Sequence, residues 1–337
     1  MNWMVLPNQV CLIVKLYNNR PGLLPDSNDN TYKNLNMKIL DKDLIQYKRI
    51  LVESLKVFDK LCKENNIKYF AVGGTAIGTV RHKGFIPWDD DIDVAMLRED
   101  YDRFITLKSA LRNSKYRIID YHDEGYFLPS AKFIDCTTTI WEIEEQPYIM
   151  GAYIDVFPLD YVEIRDKYLP VKFRNYKHFF EKLRISKSDV KFRKTIRYLL
   201  TGHIKTFLKR LSEHIKYTFY LRRNIDSLIK KADKLSNSLR AIHSDVVLNY
   251  NTFYPLQKEL LKADWFAETK TMPFENTTIE MPIGYDSYLR QLFGDYMQLP
   301  PVEKRVGHHC CYYYNLNRLM SKEEVLRVMN MNNVYGK

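Results

Sequence analysis

Residues 85–96 read FIPWDDDIDVAM, which puts Asp89, Asp90, Asp91 and Asp93 within five positions and flanks them with apolar residues. Carboxylates this close repel one another, and an apolar setting makes each harder to ionise. Such a segment is tolerated where a cation compensates it. The alternation that follows sorts the acids. In Asp91-Ile92-Asp93-Val94 the two carboxylates fall on one face of a strand and the aliphatics on the other. Two carboxylates on one strand face suit a hard divalent cation, and Mg²⁺ is usually held by one or two carboxylates plus the substrate's own phosphates. Asp89 is the candidate third contact, and Asp90 points away.

The flanking sequence places this strand in an alternating α and β pattern. From Asp41, Leu44, Leu51, Leu55, Phe58 and Leu61 recur at helical spacing, and Asn65-Asn66 stops the run. IKYFAV (67–72) predicts a buried strand that hands over to GGTAIGTVRHKG, a short helix opened by Gly73 and Gly74. A backbone without side chains at the start of a helix can approach a phosphate closely, and the free N–H groups of the first turn favour an anion. Further strands are predicted at 91–97, 116–120, 131–135, 137–143 and 152–160. The last holds Asp155, a lone charge between Ile154 and Val156, and completes the order h-G-G, D-h-D-h, h-D-h. That order resembles the signature of the nucleotidyltransferase (polymerase-β-like) fold. The expected class is therefore α+β, with a mixed-sheet core, a basic helical insertion and an irregular, aromatic-rich C-terminal region. The expected divisions are an N-terminal arm (1–37), a catalytic core (38–160), a basic helical segment (161–249) and a C-terminal part that completes the site (250–337).

Charge separates these divisions. The chain of 337 residues carries a net +11, yet residues 161–240 hold 22 Lys and Arg against 7 Asp and Glu. The remainder, with 30 against 34, is a mildly acidic body. The basic segment has three candidate uses: a solvated helical face, nucleic-acid binding through phosphates, or contact with an anionic membrane surface. Leu, Phe and Tyr interleave with the cations at helical spacing and favour peripheral membrane contact; nucleic acid is not expected. The five cysteines are scattered without a CxxC pair, which suits a reducing compartment. The apolar run Val10–Leu16 is too short to span a bilayer and lacks a cleavage site, so a cytoplasmic protein is expected, peripheral at the inner face of the cell membrane. GHHCC (307–311) offers adjacent ligands that cannot easily share one metal, with no second pair at finger spacing.

The stretch FAVGGTAIGTVRHKGFIPWDDDIDVAM resembles the hallmark of the LicD family of phosphotransferases, to which fukutin-related ribitol-phosphate transferases are similar. LVESLKVFDKLCKENNIKYF upstream, and YIDVFPLD and YDSYLRQLFGDYMQLPP downstream, resemble further family blocks, so the likeness covers roughly residues 40–160 and 270–310. It implies transfer of a phospho-substituent, phosphocholine being the best-known case, from a CDP-linked donor to a hydroxyl of a cell-surface glycan or lipid-linked precursor. By position, Asp91 and Asp93 would bind Mg²⁺ or Mn²⁺ with Asp89 as helper, and Asp155 would complete the catalytic triad as base or as second metal contact. Gly73, Gly74 and Thr75 would lie along the donor phosphates, with Arg81 and Lys83 reaching them as cations and His308 a candidate substrate contact. Ala76 departs from the bulky apolar residue usual after Gly-Gly-Thr. The competing enzymatic reading is a nucleotidyltransferase that delivers a nucleoside monophosphate to a small molecule or RNA end.

Overall fold

A computed structural model describes residues 39, 41–143, 148–187, 192–216, 225–238, 244–252, 254–307 and 311–335; the expected N-terminal arm lies outside them. The first helix, α1 (Asp41–Glu64), buries Tyr47, Leu51, Leu55, Phe58 and Cys62, a stripe at helical spacing. It stops where expected, because Asn66 adopts a left-handed conformation (φ 52°) and the Ile67 N–H turns back onto the Cys62 carbonyl. The strand expected over 67–72 shortens to β1 (Phe70–Ala71), since Gly73 at φ 58° turns the chain into α2 (Gly73–His82). Lys83, also left-handed, caps that helix by donating its N–H to the Gly78 carbonyl.

Strand β2 (Asp93–Leu97) begins two residues later than expected, so Asp91 lies in the loop leading into it. Helix α3 (Arg98–Thr106) follows, then β3 (Tyr116–Ile119). The two strands expected over 131–143 are one, β4 (Ala131–Trp141), with a register shift between Asp135 and Ile140. The Thr138 hydroxyl fills that irregularity, donating to the Asp135 carbonyl and accepting from the Ala152 N–H. An alternation break that looks like a strand end in the sequence is thus a bulge. β5 (Met150–Tyr161) is buried along nearly its whole length.

These strands form a sheet of eight in the order β1-β2-β5-β4-β10, where β10 is Tyr313–Asn315. β2 and β5 are parallel; the other pairings are antiparallel. β3 and β10 share the outer edge of β4, and β6 (Val246–Leu248) joins the end of β5, with β7 (Leu261–Lys262) beside it. A separate hairpin, β8 (Thr269–Phe274) and β9 (Thr277–Pro282), precedes the penultimate long helix. The Phe58 ring meets Tyr69, Phe104 and Phe133 edge-on at 5.0–5.6 Å and so locks α1, α3 and β4 together. The architecture is a mixed α+β fold.

The basic segment is helical, as expected: α4 (Leu169–Lys187), α5 (Phe192–Leu200), α6 (Ile204–Lys216) and α7 (Ile225–Ser238). α4 buries Phe173, Tyr176, Phe180 and Leu183, and α7 buries Leu228 and Ala232, in the main core. The C-terminal region contributes α8 (Leu256–Glu259), α9 (Tyr285–Phe293) and α10 (Lys322–Tyr335). Among the described residues no helix is long and apolar enough to cross a membrane.

Candidate active site

The parallel pairing of β2 with β5 sets Asp93 directly beside Asp155. Residues in register on neighbouring strands point to the same face. On the other side of β5, Lys132 of β4 is in register with Asp155, and its ammonium donates to Asp155 Oδ1 at 2.7 Å, with both side chains 2% exposed. Three adjacent strands therefore carry a row of two carboxylates and one ammonium across a single sheet face. The Lys132 ammonium also stands 3.3 Å from the centroid of the Tyr153 ring, and the Tyr153 hydroxyl donates to Glu142 Oε1. A cation held between a carboxylate and an aromatic face has the two neighbours that best offset its burial.

Helix α2 and the acidic loop close over one end of this row. The Asp93 N–H donates to Thr75 Oγ1 at 2.8 Å, and the Val72 N–H donates to the Asp93 carbonyl at 3.1 Å. A Cβ at position 74 would stand 2.4 Å from Asp89 Oδ2, so glycine lets that carboxylate come close to the backbone. The Asp89 carboxylate thus rests on the first turn of α2, where the helix dipole favours negative charge. Asp89, Asp90, Asp91, Asp93 and Asp155 are all buried. Burial, reinforced by Asp89, Asp93, Asp90 and Asp155 in that order, pushes the Asp91 carboxyl well above the ordinary range. Ionising the whole set together is costly without a cation.

Gly73 is placed differently from the expectation of an open phosphate-binding amide. Its N–H donates to the Tyr288 hydroxyl of α9 at 3.0 Å, which ties the glycine turn to the C-terminal region. Arg81 donates to the carbonyls of Tyr296 (2.8 Å) and Gln298 (3.4 Å) and through Nε to His82 Nε2. Burial and then the neighbouring Arg305 guanidinium lower its pKa. Arg305 in turn lies 5.7 Å from the Trp88 ring centroid. Trp88 Nε1, a buried donor, has no hydrogen-bond acceptor among the described residues. Two guanidiniums that repel each other, one of them over the Trp88 ring, favour an anion at this corner of the structure. Lys83 is exposed at the helix cap, and His308 lies outside the described residues.

Sequence reasoning passed over Lys132, Arg305 and Lys48. Lys48, on α1, donates to the Pro87 carbonyl at 3.1 Å; burial lowers its pKa while Asp89 and Asp90 pull the other way. For Lys132 a signal existed: in AKFID a lysine sits among residues that read as a buried strand, and a buried lysine needs a partner. The others act through tertiary contacts that local pattern does not encode.

The donor set is all carboxylate oxygen, which fits Mg²⁺ or Mn²⁺ and not a soft metal. Among the described residues no three His, Cys, Asp or Glu side chains converge to hold an ion by themselves.

Residues 66–195 match the family model described as LicD/FKTN/FKRP, nucleotidyltransferase domain. The chain is 30% identical over 262 residues to a protein of Haemophilus influenzae named lipopolysaccharide cholinephosphotransferase LicD, covering 77% of this chain and 93% of that one. An uncharacterized protein of Rickettsia typhi is 32% identical over 122 residues, 36% of this chain and 38% of its own length. The matched span contains α2, the acidic loop and the Asp93–Asp155–Lys132 row, and the chain belongs to the LicD family of transferases.

Proposed function

We propose that this protein transfers a phosphocholine-like group from a CDP-linked donor to a hydroxyl of a cell-surface glycan or lipid-linked glycan precursor and releases CMP. The observation that carries the reading is the in-register pair Asp93 and Asp155, set beside an Asp91 whose charge is penalised until a cation arrives. The name of the Haemophilus influenzae relative supports the choline-phosphate group and a lipopolysaccharide-class acceptor. The adjacent parallel acid-bearing strands, entered from a glycine-opened helix, support a nucleotidyltransferase-type core.

Asp91 and Asp93, with Asp89 as helper, would hold Mg²⁺ or Mn²⁺. Bound there, the ion neutralises charge on the pyrophosphate oxygens of the donor. The acceptor oxygen forms a bond to the phosphorus that carries choline. The bond from that phosphorus to the bridging oxygen breaks, CMP keeps the bridging oxygen and its electron pair, and the acceptor proton passes to a base. Arg81 and Arg305 bind the donor's anionic end, and Trp88 Nε1 donates to one of its oxygens. Lys132 donates to Asp155 Oδ1 and so fixes its rotamer, presenting Asp155 either as a third anionic contact or as the base.

The test is incubation of the full chain with CDP-choline, Mg²⁺ and a lipopolysaccharide or oligosaccharide acceptor. Acceptor-dependent CMP release with choline phosphate on the glycan is expected. Pyrophosphate release from a nucleoside triphosphate, without CMP from CDP-choline, would instead establish nucleotidyl transfer.

A further inference from the structure

Helices α5 and α6 pack against each other as a hairpin turned at Thr201-Gly202. The turn is closed by the Gly202 N–H donating to Leu199 O and the His203 N–H donating to Tyr198 O. The Arg210 guanidinium lies 5.6 Å from the Tyr198 ring centroid and braces the two helices. What the hairpin buries is the wrong way round for a globular protein. Among the side chains of α5 and α6 whose burial is described, which leaves out Phe192, no apolar one is buried, whereas Thr195 is 1% exposed. Ile204, Leu208, Leu211 and Ile215 follow the i, i+4, i+7, i+11 stripe of one helix face. Three of these four are exposed, Ile204 at 58% and Leu208 at 55% among them. On α5, Ile196, Leu199 and Leu200 are exposed too, Leu200 at 80% beside the turn. A surface helix of a soluble domain turns such a stripe inward; here it faces outward.

The charge pattern identifies the partner. Residues 192–216 contain seven Lys and Arg and one Glu, and Lys205 and Lys209 are exposed next to Ile204 and Leu208. Aliphatic side chains in a stripe bordered by lysines fit an interface that is apolar inside and anionic outside. A second copy of the same surface would set cations against cations. A nucleic acid would leave the aliphatic stripe in water. We propose that the α5–α6 hairpin docks this protein on an anionic lipid bilayer, inserting Leu199, Leu200, Ile204 and Leu208 while Lys205 and Lys209 meet the headgroups. This goes beyond the transfer reaction and stands independently of it.

The test is flotation of the full chain with vesicles of phosphatidylcholine alone and with a third of the lipid replaced by phosphatidylglycerol. Binding to the anionic vesicles only, weakened by salt, is expected. Lys205→Gln and Lys209→Gln should each weaken it about fivefold. Leu200→Ser with Leu208→Ser should abolish it without changing the far-ultraviolet spectrum or transfer to a soluble acceptor. Equal flotation of the wild type and the serine variant would overturn the proposal. So would the absence of binding to anionic vesicles, or a self-associated wild type that the serine changes convert to monomer.

Discussion

Lys132→Met tests the central row most directly. In the wild type, the Lys132 ammonium and Asp155 carboxylate are each 2% exposed and 2.7 Å apart. Removing one partner of a buried pair typically costs about 3–5 kcal/mol, because the other charge stays behind without compensation. Here the orphan would be Asp155, in register with a second carboxylate, Asp93. The upper half of that range is therefore expected. Methionine keeps most of the volume, so little of the loss is cavity formation. Removing both charges, as in Lys132→Met with Asp155→Leu, should bring stability to within about 1 kcal/mol of wild type.

Urea unfolding with EDTA, for wild type, both single variants and the double, closes a thermodynamic cycle in which this coupling is measured. The same series in millimolar Mg²⁺ adds a second reading. A cation that sees Asp155 can replace part of what the ammonium supplied, so Mg²⁺ should stabilise Lys132→Met more than it does wild type. A loss below about 1 kcal/mol for Lys132→Met in EDTA, or a double variant as unstable as the single one, would refute the assigned pairing. Equal stabilisation by Mg²⁺ in wild type and variant would instead separate Asp155 from the cation.

Asp93→Asn should lower the transfer rate about 10²–10³-fold while raising the melting temperature in EDTA, since it removes one repelling carboxylate; initial rates and calorimetry check the two halves. Gly74→Ala places a methyl where Asp89 Oδ2 now lies, and because that carboxylate can rotate away, the stability loss should stay under about 1 kcal/mol while Mg²⁺ affinity falls. A titration followed by tryptophan fluorescence reads that affinity. Arg305→Ala should raise the KM for the CDP-linked donor about tenfold with little change in kcat, as expected when a ground-state anion contact is lost. Burial raises the Glu259 carboxyl from 4.5 to about 7, with a hydrogen bond from the Thr252 hydroxyl opposing. The folded state then holds the proton more tightly than the unfolded chain, so this group's stabilisation is full below pH about 4.5 and is lost as pH rises to about 7, roughly 3 kcal/mol in all. Glu259→Gln should exceed wild-type stability at pH 8 and lose that advantage near pH 4, measured by urea midpoints at each pH.

The parts of the site that a reader of the sequence can find are those with a local period. Asp91, Asp93 and Asp155 stand out because charge interrupts or alternates with aliphatic residues in segments that read as strands, although Asp91 itself lies just before one. What cannot be found locally is which strands are neighbours. Asp93 and Asp155 meet only because β5 pairs in parallel with β2, and Lys132 meets them only through the β4–β5 register, itself offset by the irregularity between Asp135 and Ile140. The glycine turn carries contacts that its local sequence does not announce. GG at a strand-to-helix junction predicts open amides for a phosphate, yet Gly73 bonds to Tyr288 from 215 residues away and Gly74 accommodates Asp89. A side-chain-free position says that something approaches closely; it does not say what. In the basic segment the helical period was legible, but the direction each face points was not, because α4 and α7 bury their apolar residues while α5 and α6 expose theirs.

That division within the basic segment follows from where the chain leaves and rejoins the sheet. It departs after Tyr161 and returns at Val246, and Tyr161 pairs directly with Val247, so more than eighty residues are held at their base by two neighbouring strands. The junction is pinned by Arg98, which grips Asp160 with two hydrogen bonds of 2.7 and 2.8 Å. A loop closed at a rigid base can carry extra helices at little cost to the sheet, since closure entropy grows only slowly with length. α4 and α7 seal the insertion onto the core, which leaves α5 and α6 to project. Asp155 and Tyr161 are six residues apart on β5, roughly 20 Å at the rise of a strand. The acidic row and the base of the whole insertion therefore lie on one strand yet stand well apart along it, so the junction that carries the inserted helices is held by residues other than those of the row.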